Sequence, residues 1–467
     1  MLTISRALRM TNPTGHMSLS AAFVGSGGKT SAMFQTAREM APALVTTSTH
    51  LFEDQARLAD QHFFWPANPR GTCSPIPPME NTHKFSIEEQ LHSGITLVTG
   101  NLDPVSRRFR SLDAFQLEEL RKIALRHSIP LLIEADGSRT RPLKAPGSHE
   151  PAIPDFVDLV VVVAGLSGLH HALDENKVHR PEIFSVLSGL REGELISPEA
   201  LGRVLSHPQG GLKNIPSTAR KVVLLNQADT DELQSLGNRL GEALKPIFDA
   251  VIISKLQPAP GHAISVKEKV AAVILAAGAS SRFGQPKQLL DFHSTGHMGK
   301  PFIRVVAETA IQAGLTPVVV VSGSRTEQVA ACLEQLPVQV VYDQDWQSGQ
   351  SSSIKVGLAH LPQNVGGAIF LLADQPQVSV ELLRALVERH SQDLPPILAP
   401  YVFDERANPL LFDQVTFSAL QTIPQGTYSG DIVGRAIFSK FSPRYLNWYD
   451  RRLLLDVDTL EDQGKYP

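Results

Sequence analysis

The sequence predicts an α/β protein built from two doubly wound, mostly parallel (Rossmann-like) sheets. Short runs rich in β-branched residues recur along the chain, such as LLIEAD at 131–136 and LVVVVAG at 159–165. Amphipathic stretches with helical periodicity separate several of these runs, for example residues 112–128 and 231–247. Continuous apolar strands that alternate with helices are typical of a parallel sheet covered on both faces.

One domain boundary is predicted near residue 265. The chain has 467 residues, which is long enough for two or three domains. A polar stretch with Pro and Gly at 254–269 interrupts the alternation, which then starts again with VAAVILA. We therefore predict an N-terminal domain at 1–255, a linker at 256–268 and a C-terminal domain at 269–467.

The composition excludes several classes of protein. The formal net charge of −4 leaves no basic surplus for a general nucleic-acid binder. The two cysteines, Cys73 and Cys332, lie far apart and have no metal-ligand spacing. No apolar run approaches the roughly 20 residues of a membrane helix, and the N-terminus lacks the apolar block of a signal peptide. These features predict a cytoplasmic protein with no nucleic-acid or membrane partner.

The stretch FVGSGGKTS at 23–31 has the composition of a phosphate-binding loop. Its backbone would cradle phosphate, its lysine would reach the terminal phosphates, and its threonine hydroxyl would meet Mg²⁺. The spacing departs from GxxxxGK[ST], whose first glycine would fall on Phe23, and fits a shorter Gly-x-x-Gly-Lys-Thr form used by some ATP-dependent ligases. A glycine-rich turn with an incidental lysine is the alternative. The candidate nucleotide-binding residues are Gly25, Gly27, Gly28, Lys29 and Thr30.

Two further strand ends favour a P-loop-like nucleotide site in this domain. LLIEADG ends an apolar strand in carboxylates, so Asp136, or Glu134, is a candidate for a Mg²⁺-associated role. VVLLNQAD is similar to the Asn-Lys-x-Asp element with which GTP-binding proteins read the base, with Gln227 in place of lysine. Asn226 and Asp229 are therefore candidate nucleotide contacts, although N-capping of the next helix accounts for Asp229 equally well. ATP or GTP is the expected ligand.

Several stretches of the first half resemble the selenium-dependent hydroxylase accessory proteins. They are FVGSGGKTS, VTTSTH (45–50), EADGSRTRPLKAPGSHEP (134–151), AGLSGLH (164–170) and VHRPE (178–182). The resemblance covers roughly residues 15–255 and implies a role in the maturation of molybdenum hydroxylases, with a hydroxylase apoprotein as the expected partner. Arg139, Arg141 and Lys144 are candidates for an anion clamp or are surface basic residues. His149, His170 and His179 have a scattered spacing that does not favour a metal site.

The stretch LAAGASSRFGQPK at 275–287 forms a second turn of small residues after a strand. Small side chains leave the backbone uncovered, so its N–H groups can approach an anion. Arg282 and Lys287 add positive charge at the C-terminal end of the strand, where α/β sheets bind ligands. The stretch suits a nucleoside triphosphate, and a plain connection with surface basic residues is the alternative. The candidate nucleotide contacts at this turn are Leu275, Ala276, Ala277, Gly278 and Ser280.

The second half, from about residue 269, resembles the molybdenum-cofactor nucleotidyltransferase (MobA-like) family. The matching segments are LAAGxSxRxGxxKxL, SGQSSSIKVGL (348–358), LLADQP (371–376), RANPLLF (406–412), GDIVGR (430–435) and DVDTLED (456–462). Ala-Ala-Gly followed by Gly-Gln is similar to the cytidylyl-transferring branch, whereas the guanylyl branch tends to show Gly-Gly at both points. The resemblance therefore implies CTP rather than GTP. Ala407 departs from the glycine usual in the family.

The resemblance also implies a role for each matched residue. Transfer of a nucleoside monophosphate requires in-line attack on the α-phosphorus while pyrophosphate leaves, so positioning and charge neutralisation carry the catalysis. Lys287 and Arg282 would hold the triphosphate. Asp374 would hold Mg²⁺, with Asp458 or Asp456 as a second carboxylate. Ser351 and Ser352 would contact the nucleotide, or cap the following helix. The candidate contacts to the pterin-phosphate acceptor are Arg406, Asn408, Asp431 and Arg435.

These inferences converge on a molybdenum cofactor cytidylyltransferase. The C-terminal domain is expected to transfer CMP from CTP to the phosphate of molybdopterin, which gives molybdopterin cytosine dinucleotide and pyrophosphate. The N-terminal domain is expected to bind a purine triphosphate and to assist hydroxylase maturation. The alternatives are a nucleotidyltransferase with another base or acceptor, such as GTP or a sugar phosphate, and a non-catalytic, nucleotide-dependent chaperone for the cofactor.

Overall fold

Two α/β units follow one another along the chain. A computed structural model describes residues 1–10, 20–65, 87–88, 91, 93–137, 140–278, 286–292, 299–423 and 437–455. The contacts within the chain divide it into Met1–Lys267 and Glu268–Pro467, called unit 1 and unit 2 below. The sheet of each unit is mostly parallel and is covered by helices, so the predicted α/β fold class is confirmed.

Unit 1 alternates strands and helices along most of its length. Its strands are β1 (Ser20–Gly25), β2 (Ala43–Thr47), β3 (His50–Phe52), β4 (Gln61–Phe64), β5 (Ile95–Thr99), β6 (Leu102–Asp103), β7 (Arg108–Arg110), β8 (Leu131–Glu134), β9 (Leu143–Lys144), β10 (Leu159–Gly165), β11 (Val178–His179), β12 (Arg220–Asn226) and β13 (Ala250–Lys255). Its helices are α1 (Ile4–Ala7), α2 (Lys29–Glu39), α3 (Ala114–His127), α4 (Pro181–Ser188), α5 (Pro198–Ser206) and α6 (Asp231–Leu244).

The main sheet of unit 1 has the strand order β13-β12-β10-β1-β8-β2-β5-β4, and its neighbouring strands are parallel. Strands β1, β2, β5, β8 and β10 are almost wholly buried, which explains their continuous apolar sequences. Strand β1 lies between β8 and β10. The segments that follow these three strands therefore meet at one edge of the sheet.

A small antiparallel sheet of β3, β7 and β6 accompanies the main sheet. In it Phe52 of β3 pairs directly with Arg108 of β7. Helix α3 begins with a capping box in which Asp113 and Gln116 satisfy each other's backbone N–H groups.

Unit 2 repeats the alternation. Its strands are β14 (His262–Ala276), β15 (Asp291–Phe292), β16 (Lys300–Pro301), β17 (Val318–Ser322), β18 (Gln339–Tyr342), β19 (Val365–Leu372), β20 (Ile397–Val402), β21 (Glu405–Arg406), β22 (Leu410–Asp413) and β23 (Pro443–Asn447). Its helices are α7 (Phe302–Gln312), α8 (Thr326–Cys332), α9 (Gln350–Ala359), α10 (Val380–Asp393) and α11 (Phe417–Gln421).

Strand β14 is the centre of the sheet in unit 2. It pairs in parallel with β17 on one side and β19 on the other, and β22 joins β19 in antiparallel orientation. Ala272 and Ile274 belong to one apolar cluster, whereas Ala271 and Val273 belong to another. Successive residues of a strand point to opposite faces, so the sheet has a core on each face and is doubly wound.

The stretch predicted as a linker, 256–268, is strand in its second part. Strand β14 begins at His262 and continues without a break into unit 2. Polar residues misled the sequence interpretation because they are buried here with partners on α6. The Ser265 hydroxyl donates to Asn238 Oδ1 at 2.8 Å, and the Lys267 ammonium lies 3.7 Å from Glu242.

Within the residues that the structure describes, every helix is too short or too polar to cross a membrane.

Candidate functional site

The loop between β1 and α2 has a backbone that only glycine accommodates. Gly27 and Gly28 have φ of +82° and +113°, a region that favours glycine. A Cβ atom on Gly27 would lie 2.3 Å from the backbone N of Gly165, so the loop packs directly against the end of β10. Helix α2 begins immediately after this loop, at Lys29. The predicted strand–glycine loop–helix arrangement is therefore present.

Lys29 is buried between carboxylates rather than extended into solvent. Its side chain is 3% exposed, and its Nζ lies 2.9 Å from Asp136 Oδ1 and 3.2 Å from Glu134 Oε1. Burial acts to lower the pKa of Lys29, but the charges of Asp136 and Glu134 outweigh it and raise the pKa above its ordinary value. The lysine of the loop is therefore a fixed, paired cation.

The ion pairs continue beyond Lys29. Asp136 Oδ2 lies 2.8 Å from Lys144 Nζ and accepts the N–H of Gly25 at 2.9 Å. Lys144 also contacts Glu150 at 2.7 Å, and Arg180 donates two parallel hydrogen bonds to Glu150 at 2.8 and 3.0 Å. We call the series Glu134, Lys29, Asp136, Lys144, Glu150 and Arg180 the ion-pair chain.

Glu150 is strongly stabilised as an anion in this arrangement. Its partial burial acts to raise its pKa, but the hydrogen bonds from Arg180 and Lys144 lower the pKa to about 2. Glu150 and Arg180 lie in the GSHEP and VHRPE stretches of the sequence, but no role was predicted for either. Neither had an obvious partner, because about 30 residues separate them along the chain.

A cavity of about 670 Å³ adjoins the glycine loop. This volume falls within the range of about 300–1,000 Å³ typical of ligand pockets. Of the five residues predicted for the phosphate loop, Gly27, Gly28, Lys29 and Thr30 line it, and Gly25 does not. The further residues of its wall that matter below are Phe52, Gln55, Arg108, Glu134, Arg141, Glu150, His179 and Arg180.

The two candidate carboxylates of this unit are placed differently. Both oxygens of Asp136 are engaged by the lysines and the Gly25 N–H described above, and its side chain is 2% exposed and does not line the cavity. Glu134 does line it and accepts the Thr30 hydroxyl at 2.8 Å. The structure therefore favours Glu134, the sequence alternative, over Asp136 as the carboxylate that faces a ligand or a Mg²⁺ ion.

The last residue of β12, Asn226, supports the glycine loop. The Asn226 side chain is buried, donates to the Gly27 carbonyl at 2.7 Å and accepts the N–H of Leu256 at 3.2 Å. Its amide thus holds the loop in place through the Gly27 carbonyl and does not line the cavity, whereas the sequence suggested a contact with the ligand. Asp229 is exposed and does not line the cavity, and the residue that caps α6 is Thr230.

The remaining candidates of unit 1 separate into four groups. Arg141 and His179 line the cavity, whereas Lys144 belongs to the ion-pair chain. His149 and His170 do not line the cavity, and no group of three metal-ligating side chains occurs in the described residues. Arg139 lies outside the described residues.

Unit 2 has a cleft of about 340 Å³ where the strand ends of β14 and β19 meet. Leu275 of β14 pairs with Leu372 of β19, so the residues that follow the two strands are neighbours. The predicted nucleotide contacts Leu275, Ala276, Ala277 and Gly278 line this cleft, and so does the predicted metal ligand Asp374. Asp374 is partly buried.

Lys287 begins a 3-10 turn, Lys287–Leu289, next to the cleft. The adjacent Gln288 lines the cleft, and its side-chain amide reaches the carbonyls of Ala276 and Gly278 at 3.3 Å each. Lys287 itself is partly exposed and is not part of the wall. The turn that carries Lys287 is therefore fastened to the glycine-containing loop through Gln288, a residue that the sequence interpretation missed.

The serines at the start of α9 contact a buried aspartate. Ser352 and Ser353 donate to the two oxygens of Asp343 at 2.7 and 2.8 Å, and Asp343 is 1% exposed. Ser353 lines the cleft, whereas Ser351 and Ser352 are buried outside its wall. The Ser352 hydroxyl thus holds the helix start in place. Asp343 follows β18, and an acidic residue after a strand is the signal that could have indicated it.

The predicted acceptor contacts in the described part of unit 2 lie away from the cleft wall. Arg406 is in β21, with its guanidinium 4.7 Å from the centre of the Phe438 ring, and Asn408 precedes β22. Ala407 is buried, and its N–H donates to the Pro400 carbonyl at 3.0 Å, so alanine fits where the family has glycine. The candidates that lie outside the described residues are Ser280, Arg282, Asp431, Arg435, Asp456 and Asp458.

Each half of the chain matches a known family. A family described as YqeC protein matches residues 21–182, and one described as MobA-like NTP transferase domain matches residues 272–441. The second half is therefore a nucleotidyltransferase domain, and small molecules are the substrates of that family. The expected fusion of an accessory domain with a MobA-like domain is confirmed at this level.

Individual relatives each match part of the chain. The chain is 32% identical over 216 residues to the uncharacterized protein YqeC of Escherichia coli (strain K12), covering 44% of this chain and 74% of the relative. It is 31% identical over 209 residues to nicotine blue oxidoreductase of Paenarthrobacter nicotinovorans, covering 41% of this chain and 93% of the relative. The crystal structure of Rv0371c from Mycobacterium tuberculosis H37Rv is similar at 27% identity and a TM-score of 0.36, covering 42% of this chain and 96% of that one.

Proposed function

We propose that this protein is a cytidylyltransferase of molybdenum cofactor maturation. The chain belongs to the YqeC family in its first half and to the MobA-like NTP transferases in its second half. Unit 2 transfers CMP from CTP to the phosphate of molybdopterin. Unit 1 binds a purine triphosphate and supports delivery of the product to a molybdenum hydroxylase apoprotein in the cytoplasm. The choice of CTP, of the acceptor and of the partner rests on the short segments that resemble the cofactor enzymes.

The observation that supports nucleotidyl transfer most directly is the composition of the unit 2 cleft. The uncovered backbone of Gly278, which has no heavy atom within 4 Å of the place a Cβ would take, and the carboxylate of Asp374 line one cavity at adjacent strand ends. Backbone N–H groups bind phosphate oxygens, and a carboxylate on the same wall holds a cation against them. The cleft therefore has both groups that in-line displacement at a phosphorus needs.

The residues of the cleft fit a Mg²⁺ ion. Mg²⁺ prefers oxygen ligands and is commonly held by one or two carboxylates plus substrate phosphates. Asp374 would be the protein ligand, and no group of three metal-ligating side chains competes with it among the described residues. When bound, the ion neutralises negative charge on the triphosphate and on the departing pyrophosphate.

The side chains around the cleft then have separate tasks. Lys287 would bind the triphosphate and offset the charge that builds on pyrophosphate as it leaves. Gln288 keeps the turn of Lys287 against the loop through its bonds to the Ala276 and Gly278 carbonyls. Asp343 fixes the start of α9, whose Gln350 and Ser353 complete the wall. Positioning of this kind accounts for catalysis without a covalent enzyme intermediate.

The test is a transfer assay with the full-length protein, Mg²⁺, molybdopterin and each of the four ribonucleoside triphosphates in turn. We expect pyrophosphate only when CTP and molybdopterin are both present, and a product with the mass of the cytosine dinucleotide. Asp374→Asn should lower turnover by about 100-fold or more, because it removes a charge that faces the transition state. Asp404→Asn, a change at an exposed aspartate outside the cleft wall, should leave turnover unchanged.

The other outcomes of this assay identify the alternatives. Pyrophosphate with GTP in place of CTP would overturn the base assignment. Pyrophosphate with a sugar phosphate but not with molybdopterin would overturn the acceptor. Binding of CTP and molybdopterin without any pyrophosphate would leave the non-catalytic chaperone as the better description.

A second candidate activity is favoured by one observation, the similarity to nicotine blue oxidoreductase over nearly the whole length of that relative. An oxidoreductase moves electrons to or from its substrate and releases no pyrophosphate. Reduction of an aromatic dye by this chain with a reduced nicotinamide dinucleotide as the electron donor, and with no pyrophosphate in the transfer assay, would establish that activity in place of nucleotidyl transfer.

A further inference from the structure

One part of the wall of the unit 1 cavity is not explained by phosphate binding. Phe52 and Arg108 line the cavity and face each other as a cross-strand pair of β3 and β7. The residue Phe52 is 41% exposed, which places it among the exposed large hydrophobic residues of the described part of the chain. The Arg108 guanidinium lies 4.4 Å from the centre of that ring. The pair thus presents an aromatic face, with a stacked cation, inside a ligand cavity.

Hydrogen bonds connect this pair to the phosphate-binding loop. The Phe52 N–H donates to Gln55 Oε1 at 2.9 Å, and Gln55 Nε2 donates to the Thr30 hydroxyl at 3.0 Å. A single glutamine side chain therefore spans from the backbone of Phe52 to a residue of the loop. The aromatic face lies within the reach of one nucleotide whose phosphates occupy that loop.

Arg108 retains an unused donor. Its Nε is shielded from solvent and has no acceptor among the residues that the structure describes. A buried donor without an acceptor is costly, so a ligand with a ring nitrogen or carbonyl oxygen would relieve that cost once a rotation of the guanidinium turns the Nε–H toward the cavity. An aromatic face beside a guanidinium is also the combination on which bases stack in nucleic-acid binding proteins.

We propose that Phe52 and Arg108 form the base-binding platform of the unit 1 cavity. A planar nitrogen heterocycle joined to phosphate stacks on Phe52, Arg108 stabilises the ring and donates to an acceptor on the heterocycle, and Gln55 sets the spacing to the loop. This inference rests on the proposed nucleotide-binding function of unit 1 and identifies the ligand class more closely. ATP and GTP supply that chemistry, and the pterin ring of molybdopterin supplies it as well.

The experiment compares ligands with and without a ring by calorimetric titration of the full-length protein in Mg²⁺. The probes are ATP, GTP, molybdopterin and inorganic triphosphate. A loss of affinity in Arg141→Ala identifies a ligand that binds in this cavity, because Arg141 lines the cavity and the substitution leaves the unit 2 cleft unchanged. Phe52→Ala tests the platform. Phe115→Ala is the matched control, since Phe115 is 58% exposed and does not line the cavity.

We expect Phe52→Ala to weaken binding of the ring-bearing ligand by about 5-fold to 140-fold, the range found when a stacking aromatic is removed. Binding of inorganic triphosphate should not change, and Phe52→Tyr should restore the affinity. Phe115→Ala should match the wild type for every probe. If only ATP and GTP bind in a way that depends on Phe52, the ring is a purine base, and if only molybdopterin does, the ring is the pterin. Either result supports the platform.

Two results would overturn the platform while leaving the nucleotide site intact. One is an unchanged affinity of Phe52→Ala for a ligand whose binding Arg141→Ala weakens. The other is an equal loss of affinity of Phe52→Ala for inorganic triphosphate and for the ring-bearing ligand, which would mean a purely structural role for Phe52. The absence of any binding that depends on Arg141 would instead overturn the proposed function of unit 1.

Discussion

The burial of Lys29 leads to a prediction about stability that its place in a phosphate-binding motif does not suggest. We consider Lys29→Met, which keeps the length and volume of the side chain but removes its charge. In the native protein the ammonium is 3% exposed and contacts Asp136 and Glu134 at 2.9 and 3.2 Å. The variant leaves these two buried carboxylates without that cation.

The size of the effect depends on what each carboxylate retains. Asp136 keeps the Lys144 ammonium at 2.8 Å and the Gly25 N–H at 2.9 Å. Glu134 keeps the Thr30 hydroxyl. Removal of one partner from a buried pair lowers the free energy of unfolding by about 3–5 kcal/mol. Because both carboxylates keep other partners, we expect a loss near the lower end, about 3 kcal/mol, for Lys29→Met. The raised pKa of Lys29 keeps the pair charged below about pH 10.5, so a measurement at neutral pH records the whole effect.

The assay is urea unfolding of the full-length protein followed by tryptophan fluorescence. Of the three tryptophans, Trp65 belongs to unit 1, and Trp346→Phe with Trp448→Phe removes the signal of unit 2. Lys122→Met is the control, because Lys122 forms an exposed ion pair with Glu119 and should show no measurable change. A loss below about 1 kcal/mol for Lys29→Met would refute the reasoning. Adding Glu134→Gln should recover part of the loss, since it removes the carboxylate left with the fewest partners.

Two further predictions concern the groups that hold each site in shape. Glu150 has a pKa lowered to about 2, so its pairs contribute stability that is complete above about pH 4.5 and is lost as the pH falls toward 2. The acid-induced fall in the unfolding midpoint of unit 1 should therefore be smaller in Glu150→Gln, and an identical fall would contradict the assignment. Asp343→Ala leaves the hydroxyls of Ser352 and Ser353 without their acceptor and should lower the unfolding free energy of unit 2 by at least about 1 kcal/mol. Asp345→Ala, at an exposed neighbour, is its control in the same denaturation measurement.

The parts of the fold that the sequence predicted are those that depend on local pattern. Buried strands such as β10 and β17 are continuous β-branched runs, and the glycines before Lys29 and the residues Ala277 and Gly278 come at strand ends as predicted. Parallel strands align their carboxyl ends, which is why Gly278 and Asp374 could be expected at one edge before any coordinates were known. The polar part of β14 was mistaken for a linker because burial of Ser265 depends on a partner in another element.

The features that the sequence could not predict depend on contacts between distant residues. Asp136 and Gly25 are separated by 111 positions, and Asn226 and Gly27 by 199. Pattern identifies a lysine after glycines, but it does not reveal that Asp136 neutralises this lysine. Asn226 was interpreted as a ligand contact for the same reason. An asparagine amide can hydrogen-bond to a nucleotide base, but the orientation of this side chain is set by the glycine loop that packs against it.

The ion-pair chain limits what the unit 1 cavity can bind. It contains three acidic and three basic side chains, so their formal charges cancel. The loop lysine therefore adds no net positive charge, and among the described residues the cavity-wall cations outside the ion-pair chain are Arg108 and Arg141. A triphosphate carries more negative charge than these two side chains neutralise. Because Glu134 lines the cavity and is hydrogen-bonded to Thr30, a divalent cation that enters with the nucleotide would find oxygen ligands there. For the triphosphate proposed as the ligand of unit 1, the electrostatics thus favour the metal-bound form over the free one, and the lysine acts by holding the Glu134 carboxylate of this wall in place.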